Sequence, residues 1–249
     1  MQVVKETDNL FRLTRFGIVN CFLVREDDGL TLVDANLPGS ADSIRYCAKE
    51  IGSPIRRILL THAHFDHTGA VDDLMRATKG LELLIGSREA RLLAGDLSLE
   101  TGETGRKLFG FVRIDSQPAR LLKEGDHVGS LRAIRSPGHT PGHMAFLDER
   151  DNSLLAGDAF TTRPWLLAAG VFSRVFPLAA LFSWNATLGA QSAAKLRSLN
   201  ASRLSVGHGT TLVSPLKDMD RAVELALKQH PPGNQQYRDA CVICERRID

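Results

Sequence analysis

The chain has 249 residues, a formal net charge of +2 and 43% hydrophobic residues, enough apolar material for a sizeable α/β core. So small a charge, with no basic stripe, argues against a nucleic-acid-binding protein. No Pro/Ser-rich linker or low-complexity stretch divides the sequence, so a single domain over 1–249 is expected.

Met1 to Asp8 becomes charged before any apolar signal core forms, which predicts a cytoplasmic location. Strand-like runs lie near 2–6, 18–24, 30–34 and 56–60, and a helix is predicted over 41–51. Cys21 sits inside the second run and reads as a small buried residue. The fourth run ends in Ile58-Leu59-Leu60 and leads into Thr61-His62-Ala63-His64-Phe65-Asp66-His67. Another helix is predicted from Thr68 through Met75, then a strand at 82–85. Ser87 to Val112 carries Arg88, Arg91, Arg106 and Lys107 and reads as largely helical. It is a surface insertion, a lid or a dimer contact, or simply a solvated helix pair.

Further strands are predicted at 119–122, 127–134, 143–147 and 153–156. Ser136-Pro137-Gly138-His139-Thr140-Pro141-Gly142-His143 forms a Gly/Pro-punctuated loop, and Leu154-Leu155-Ala156-Gly157-Asp158 is an apolar run ending in Gly-Asp. The apolar stretch 164–184 approaches the length of a membrane span, but Arg174 and Pro177 near its middle argue against one. With Trp165, Phe172, Phe176, Phe182 and Trp184 it reads as a wall of a substrate mouth or a dimer contact, with plain core packing as the alternative. Helices are predicted near 186–199 and 215–229, with a strand at 203–206 running into Val206-Gly207-His208-Gly209. Cys241-Val242-Ile243-Cys244 lacks a second ligand pair for zinc and a redox-type strand–helix setting, so it reads as an apolar patch. Strands flanked by helices in two halves suit two sheets packed face to face with helices outside.

The segment 61–67 carries the chemistry. Three imidazoles and a carboxylate within six positions, just past an apolar strand, are costly to bury without a cation. Imidazole suits zinc, iron and similar metals, and the carboxylate adds a hard ligand. His139, Asp158 and His208 each follow a candidate strand on a glycine-marked loop, and glycine there permits close backbone approach.

On His-X-His-X-Asp-His at 62–67, with His139, Asp158 and His208, the sequence resembles the metallo-β-lactamase-fold hydrolases over most of its length. The resemblance implies an α/β fold, an αββα sandwich of two mixed sheets with helices outside and a dinuclear metal site on its edge. It assigns His62, His64 and His139 to one metal, and Asp66, His67 and His208 to the second. Asp158 bridges the two, together with a water or hydroxide. Asp34 looks like the family's aspartate that orients the ligand loop, with a turn or helix-cap role as the alternative. Two divalent ions are implied, zinc first, with iron, manganese or cobalt accepted by the same donors.

Such ions lower the pKa of bound water to roughly 7 and offset charge on a tetrahedral intermediate. No serine or cysteine nucleophile is then needed, and no Gly-X-Ser-X-Gly elbow is found. Asp66 is suited to move the proton from the attacking water to the leaving group. Asp66 and Asp158 are thus the expected catalytic carboxylates. His143 either orients a neighbour or starts a strand.

Asp158 speaks against true β-lactamases, which usually place Cys or Ser at that position, and His64 against the flavodiiron branch, where glutamate is usual. Glyoxalase II enzymes share all seven ligands but usually add a basic C-terminal helical domain, whereas only about 40 residues follow His208 here. The 136–143 run and Asp158 look like those of acyl-homoserine-lactone lactonases. Many of these carry a tyrosine shortly after the bridging aspartate. Here Ala159-Phe160-Thr161-Thr162 follows and the only tyrosines are Tyr46 and Tyr237, so either Thr161 donates the hydrogen bond or a metal polarises the carbonyl alone. The leading expectation is a hydrolase of a small-molecule lactone or carboxylic ester with an acyl chain. Thioester or phosphodiester hydrolysis, β-lactamase-like activity and a non-catalytic metal-binding role stay open. A homodimer is an expected assembly; no nucleic acid and no membrane are expected as partners.

Overall fold

Short apolar runs separated by turn residues build an antiparallel meander at the start of the chain: β1 (Gln2–Lys5), β2 (Leu10–Arg15), β3 (Val19–Glu26) and β4 (Gly29–Val33). The computed structural model describes residues 1–175 and 177–231 of the protein. After β4 the chain crosses over through α1 (Ala41–Ile51) to β5 (Ile55–Leu60), which pairs parallel to β4. The α1 helix buries Ile44, Cys47 and Ala48 on one face, and Gly52 ends it at φ +80°, where its N–H reaches the Ala48 and Lys49 carbonyls. Two short helices, α2 (Phe65–Thr68) and α3 (Val71–Ala77), lead to β6 (Glu82–Gly86), and α4 (Ser87–Leu93) precedes β7 (Arg120–Leu122). These seven strands lie in the order β1-β2-β3-β4-β5-β6-β7, antiparallel through β4 and parallel after it.

The second sheet takes β8 (His127–Val128), β9 (Leu131–Arg135), β10 (Met144–Asp148), β11 (Ser153–Leu155), β14 (Arg203–Ser205) and β15 (Leu212–Val213). Its order is β15-β14-β11-β10-β9-β8, with only the β11–β14 pair parallel. A small hairpin of β12 (Phe160–Thr161) and β13 (Leu167–Ala168) follows β11. Helices α5 (Leu178–Leu181), α6 (Ala186–Arg197) and α7 (Leu216–Gln229) complete the described chain.

Three apolar layers show why these elements stack. Phe22, Val24, Val33, Leu59 and Leu84 of the first sheet meet Leu131, Ala133, Met144, Phe146 and Leu155 of the second. The other face of the first sheet packs Leu23, Leu32 and Ile58 against Ile44, Val71, Leu74 and Leu92 of the helices. The other face of the second sheet packs Ile134, Ala145 and Leu204 against Ala193, Leu196, Met219 and Ala222. The result is the expected αββα sandwich. Both faces of β4 and β10 are covered, so these strands are apolar nearly throughout rather than alternating.

Several predicted elements differ. The 87–112 stretch is helical only over α4. Gly95, Gly102 and Gly110 then take φ of +88°, +87° and +83°, and the chain runs irregularly to β7. Arg88 and Arg91 bind Glu103, Asp96 and Glu100 across this loop instead of along a helix. The helix expected from Thr68 begins at Phe65 and breaks at Gly69, where a Cβ would lie 2.3 Å from Pro38. The predicted 127–134 strand is the β8–β9 hairpin, turned at Gly129 and Ser130. β2 was not anticipated because Arg12 and Arg15 interrupt its apolar pattern; Arg12 is held by Glu6 at 2.8 Å.

The 164–184 segment is mostly irregular. Trp165 and Phe172 are each 58% exposed, while Trp184 is buried in the helix-side core of the first sheet. Phe176, Tyr237, Cys241 and Cys244 lie outside the described residues. Among the described residues no helix is long and apolar enough to cross a membrane.

Candidate metal centre

The seven predicted ligand side chains converge at the ends of strands along one edge of the sandwich. β5 delivers His62, His64, Asp66 and His67; the β9–β10 loop delivers His139; the turn after β11 delivers Asp158; the segment after β14 delivers His208. Three groups form: His62, His64 and His139; His62, His67 and Asp158; Asp66, His67 and His208. Within each, one donor atom per residue lies within 4.8 Å of the others. Asp158 reaches across them. Its Oδ1 is 3.4 Å from His67 Nε2, and its Oδ2 is 3.4 Å from His139 Nε2 and 3.1 Å from His208 Nε2.

The outer nitrogen of each imidazole is engaged, which fixes the inner one. His67 Nδ1 donates to Asp34 Oδ2 at 2.8 Å. The Thr61 hydroxyl donates to Asp34 at 2.8 Å and so accepts from His62 Nδ1 at 2.9 Å. His208 Nδ1 donates to the Ile18 carbonyl at 3.1 Å, and His139 Nδ1 faces the Ser183 hydroxyl at 3.3 Å. The His64 ring has the Phe109 carbonyl as a partner, and its Nδ1 lies 3.0 Å from His139 Nε2. Partners of this kind set tautomer and ring direction at metal sites. Asp34 therefore touches the ligand loop directly; its φ of +59° turns the chain at the end of β4 so that its carboxylate also accepts the Thr61 N–H at 2.8 Å.

The inward atoms fit metal ions. Among the described residues, His62 Nε2, His67 Nε2 and Asp158 Oδ1 are buried without a hydrogen-bond partner, a costly state for polar atoms that a cation would relieve. Gly207 leaves the room: a Cβ there would lie 2.1 Å from Asp158 Oδ1 and 2.6 Å from His67 Cε1. Asn20 holds that segment by donating to the Val206 and Gly209 carbonyls, both at 2.8 Å.

Burial pushes the His64 imidazole down to about 4 and His143 to about 3, and holds His62 and His139 well below the usual range. Against the same burial, Asp158 and its neighbouring carboxylates hold His67 well above that range and raise His208 to about 10. Burial likewise opposes ionised Asp66, yet His67 and His208 bring it down to about 2. These directions give the metal-free protein a pH signature. Below 6.5, the ordinary histidine value, the unfolded chain binds protons that folded His64 and His143 refuse. Stability is therefore expected to fall as pH drops from 6.5 toward 4. His208 contributes stability that is fully present below 6.5 and lost as pH rises toward 10. Urea melts of chelator-treated protein across this range should show a maximum near 6.5; a monotonic profile would contradict it.

His143 lies outside the ligand groups. It is buried just before β10, its Nδ1 meets Ser136 Oγ at 2.8 Å, and its Nε2 accepts the Asp158 backbone N–H at 3.1 Å. It holds the turn carrying Asp158. Thr161 is not a free donor: its hydroxyl is committed to the His208 carbonyl at 3.0 Å. Thr61, Asn20 and Ser183 were missed in the sequence, because a short polar residue carries no signal until its partner is known.

The cluster opens into a cleft of about 200 Å³, lined by Ile18, Val19, Leu37, Phe65 and Phe182 beside the ligand side chains. The 164–184 segment supplies Phe182 to it; Trp165 and Phe172 are not among the lining residues. Phe111 packs on the His64 ring at 4.5 Å, and Phe109 packs on Phe182 at 4.7 Å, so the irregular loop before β7 walls one side.

Residues 14–208 match the family model of the metallo-beta-lactamase superfamily. The chain is 42% identical over 230 residues to the uncharacterized protein YobT of Bacillus subtilis, covering 90% of this chain and 99% of that one. It is 32% identical over 171 residues to a hydroxyacylglutathione hydrolase of Rhodospirillum rubrum, covering 67% of this chain and 53% of that enzyme. The solved structure of TTHA1623 in a di-iron-bound form superposes with a TM-score of 0.61 at 27% identity, covering 82% of this chain and 94% of that one.

Proposed function

The chain belongs to the metallo-beta-lactamase superfamily of metallo-hydrolases, and from that premise we propose that it hydrolyses a small-molecule lactone or carboxylic ester bearing an apolar acyl group. The observation that carries this reading is an apolar wall set directly against the ligand cluster. Two divalent ions held by His62, His64, Asp66, His67, His139, Asp158 and His208, zinc or iron by donor type, would activate water and polarise the substrate carbonyl. Asp158 supplies negative charge to both ligand sets. Asp66, its Oδ2 3.3 Å from His208 Nε2, is the carboxylate that takes the water proton and passes it to the leaving oxygen. Ile18, Leu37, Phe65 and Phe182 hold the acyl group and keep water off it.

Thioester hydrolysis is the second reading, favoured by similarity to the hydroxyacylglutathione hydrolase. Against it, no lysine or arginine is among the described residues lining the cleft, so the carboxylates of a glutathione conjugate find no cationic side chain there.

A panel of lactones, esters, a glutathione thioester and a phosphodiester on metal-loaded protein separates these readings. In a series of esters of rising acyl length, each buried methylene contributes up to about 0.8 kcal/mol, so four carbons should raise kcat/KM by a factor on the order of a hundred. Phe182→Ala should flatten the series, whereas Trp165→Ala, out on the surface, should leave it unchanged. A flat response in the unaltered protein would remove the apolar wall from the substrate site. Preference for the phosphodiester would displace the ester reading.

A further inference from the structure

Glu89 is a fully buried carboxylate that the chemistry above does not use. It sits on α4, behind the ligand cluster, and its two oxygens go to two different loops. Oε2 accepts the Ala63 N–H at 2.9 Å, and Oε1 accepts the Gly142 N–H at 2.8 Å. Ala63 lies between His62 and His64. Gly142 belongs to the loop that carries His139 and leads to His143. That loop presses directly on the helix: a Cβ on Gly142 would lie 2.7 Å from Arg88 Cβ and 2.8 Å from the Glu89 nitrogen. The adjacent Arg88 is engaged elsewhere, gripping Glu103 through two contacts of 2.8 Å. Burial pushes the Glu89 carboxyl up to about 7, so holding it here costs stability that an apolar side chain of similar volume would not.

We propose that Glu89 is a positioning residue that ties the 61–67 and 136–143 loops together and so assembles the His62–His64–His139 ligand set. The proposal rests on the metal-centre reading above. It makes a distinction within that centre. The His62–His64–His139 set draws on both tethered loops. The Asp66–His67–His208 set draws nothing from 136–143, and its His67 is held separately by Asp34. Loss of the tether therefore acts on one set and spares the other. Glutamine cannot replace the carboxylate, because one of its two ends is a donor facing a backbone N–H. Aspartate keeps the charge but is one methylene too short to span both amides.

The test is titration with cobalt(II), followed by calorimetry and by visible absorption, which reports ligand geometry without any substrate. The unaltered protein should take up two ions. Glu89→Gln should weaken one binding event on the order of 10–100-fold, as loss of a group that orients a ligand typically does, with the other event within about threefold. Glu89→Asp should act in the same direction, and it decides the matter if the glutamine variant does not fold. Equal weakening of both events would mean a merely structural role and overturn the proposal, as would two unchanged affinities in a folded variant. Failure of the unaltered protein to bind cobalt would remove the metal-centre reading and this proposal with it.

Discussion

Asp158→Asn is expected to lower kcat/KM on the order of a thousandfold, whereas His143→Ala should cost about tenfold. The difference follows from what each side chain touches. Asp158 lies within 3.4 Å of imidazole nitrogens from all three of the other contributing segments, so its charge serves both ligand sets. Asparagine keeps the shape but loses the charge, and turns one end into a donor facing His67 or His208. Several kcal/mol of charge stabilisation at a metal centre corresponds to about three powers of ten in rate. His143 instead accepts the Asp158 backbone N–H at 3.1 Å and bonds Ser136. Its removal loosens one turn without removing a donor from any ligand set. Steady-state rates on a metal-reloaded pair of variants, with metal content measured on the same samples, provide the comparison. Equal losses in the two variants at full metal content would mean that His143, not Asp158, was assigned the wrong place.

The sequence made the cluster legible because its chemistry is dense. His62, His64, Asp66 and His67 stand in one short segment behind an apolar strand, and no packed core would tolerate them without partners. The central sheets were legible for a related reason: the second half of β5 from Ile58, β6 past Glu82 and all of β10 are buried on both faces and spell short apolar runs. What was hidden depends on contacts between distant positions. β2 is a strand although Arg12 breaks its pattern, because Glu6 on the preceding turn neutralises that arginine. The loop after α4 departs from a helix at Gly95, where the Arg91 side chain turns to Asp96 instead of a helical neighbour. Composition favours a helix there; glycine and cross-loop ion pairs outweigh it. Glu89 and Thr61 were invisible as site residues because their meaning lies in the loops they join, 26 and 27 residues away from their partners Ala63 and Asp34.

Stripping the metal is expected to lower the melting temperature by roughly 8–16 °C for each ion lost, and reloading to restore two ions per chain. An ion present at about a thousand times its Kd adds about 4.1 kcal/mol to folding stability, provided the unfolded chain does not bind it. For a chain of roughly this size, each kcal/mol moves the midpoint by about 2–4 °C. The metal-free cluster has good reason to respond so strongly. It buries His62 Nε2, His67 Nε2 and Asp158 Oδ1 with no hydrogen-bond partner among the described residues, and it keeps His62, His64 and His139 uncharged beside one another. A cation satisfies those atoms together, and it also displaces the proton that His208 otherwise retains to about 10. Metal affinity should accordingly strengthen as pH rises through the neutral range, since fewer protons then compete for the same nitrogens. Elemental analysis of protein purified without chelator, and melts before and after reloading with zinc or iron, measure both quantities. One ion or fewer per reloaded chain would leave a single ligand set and end the bridging role of Asp158. An unchanged midpoint with two ions bound would mean that the cluster is already satisfied without them, which three buried atoms lacking a hydrogen bond among the described residues argue against.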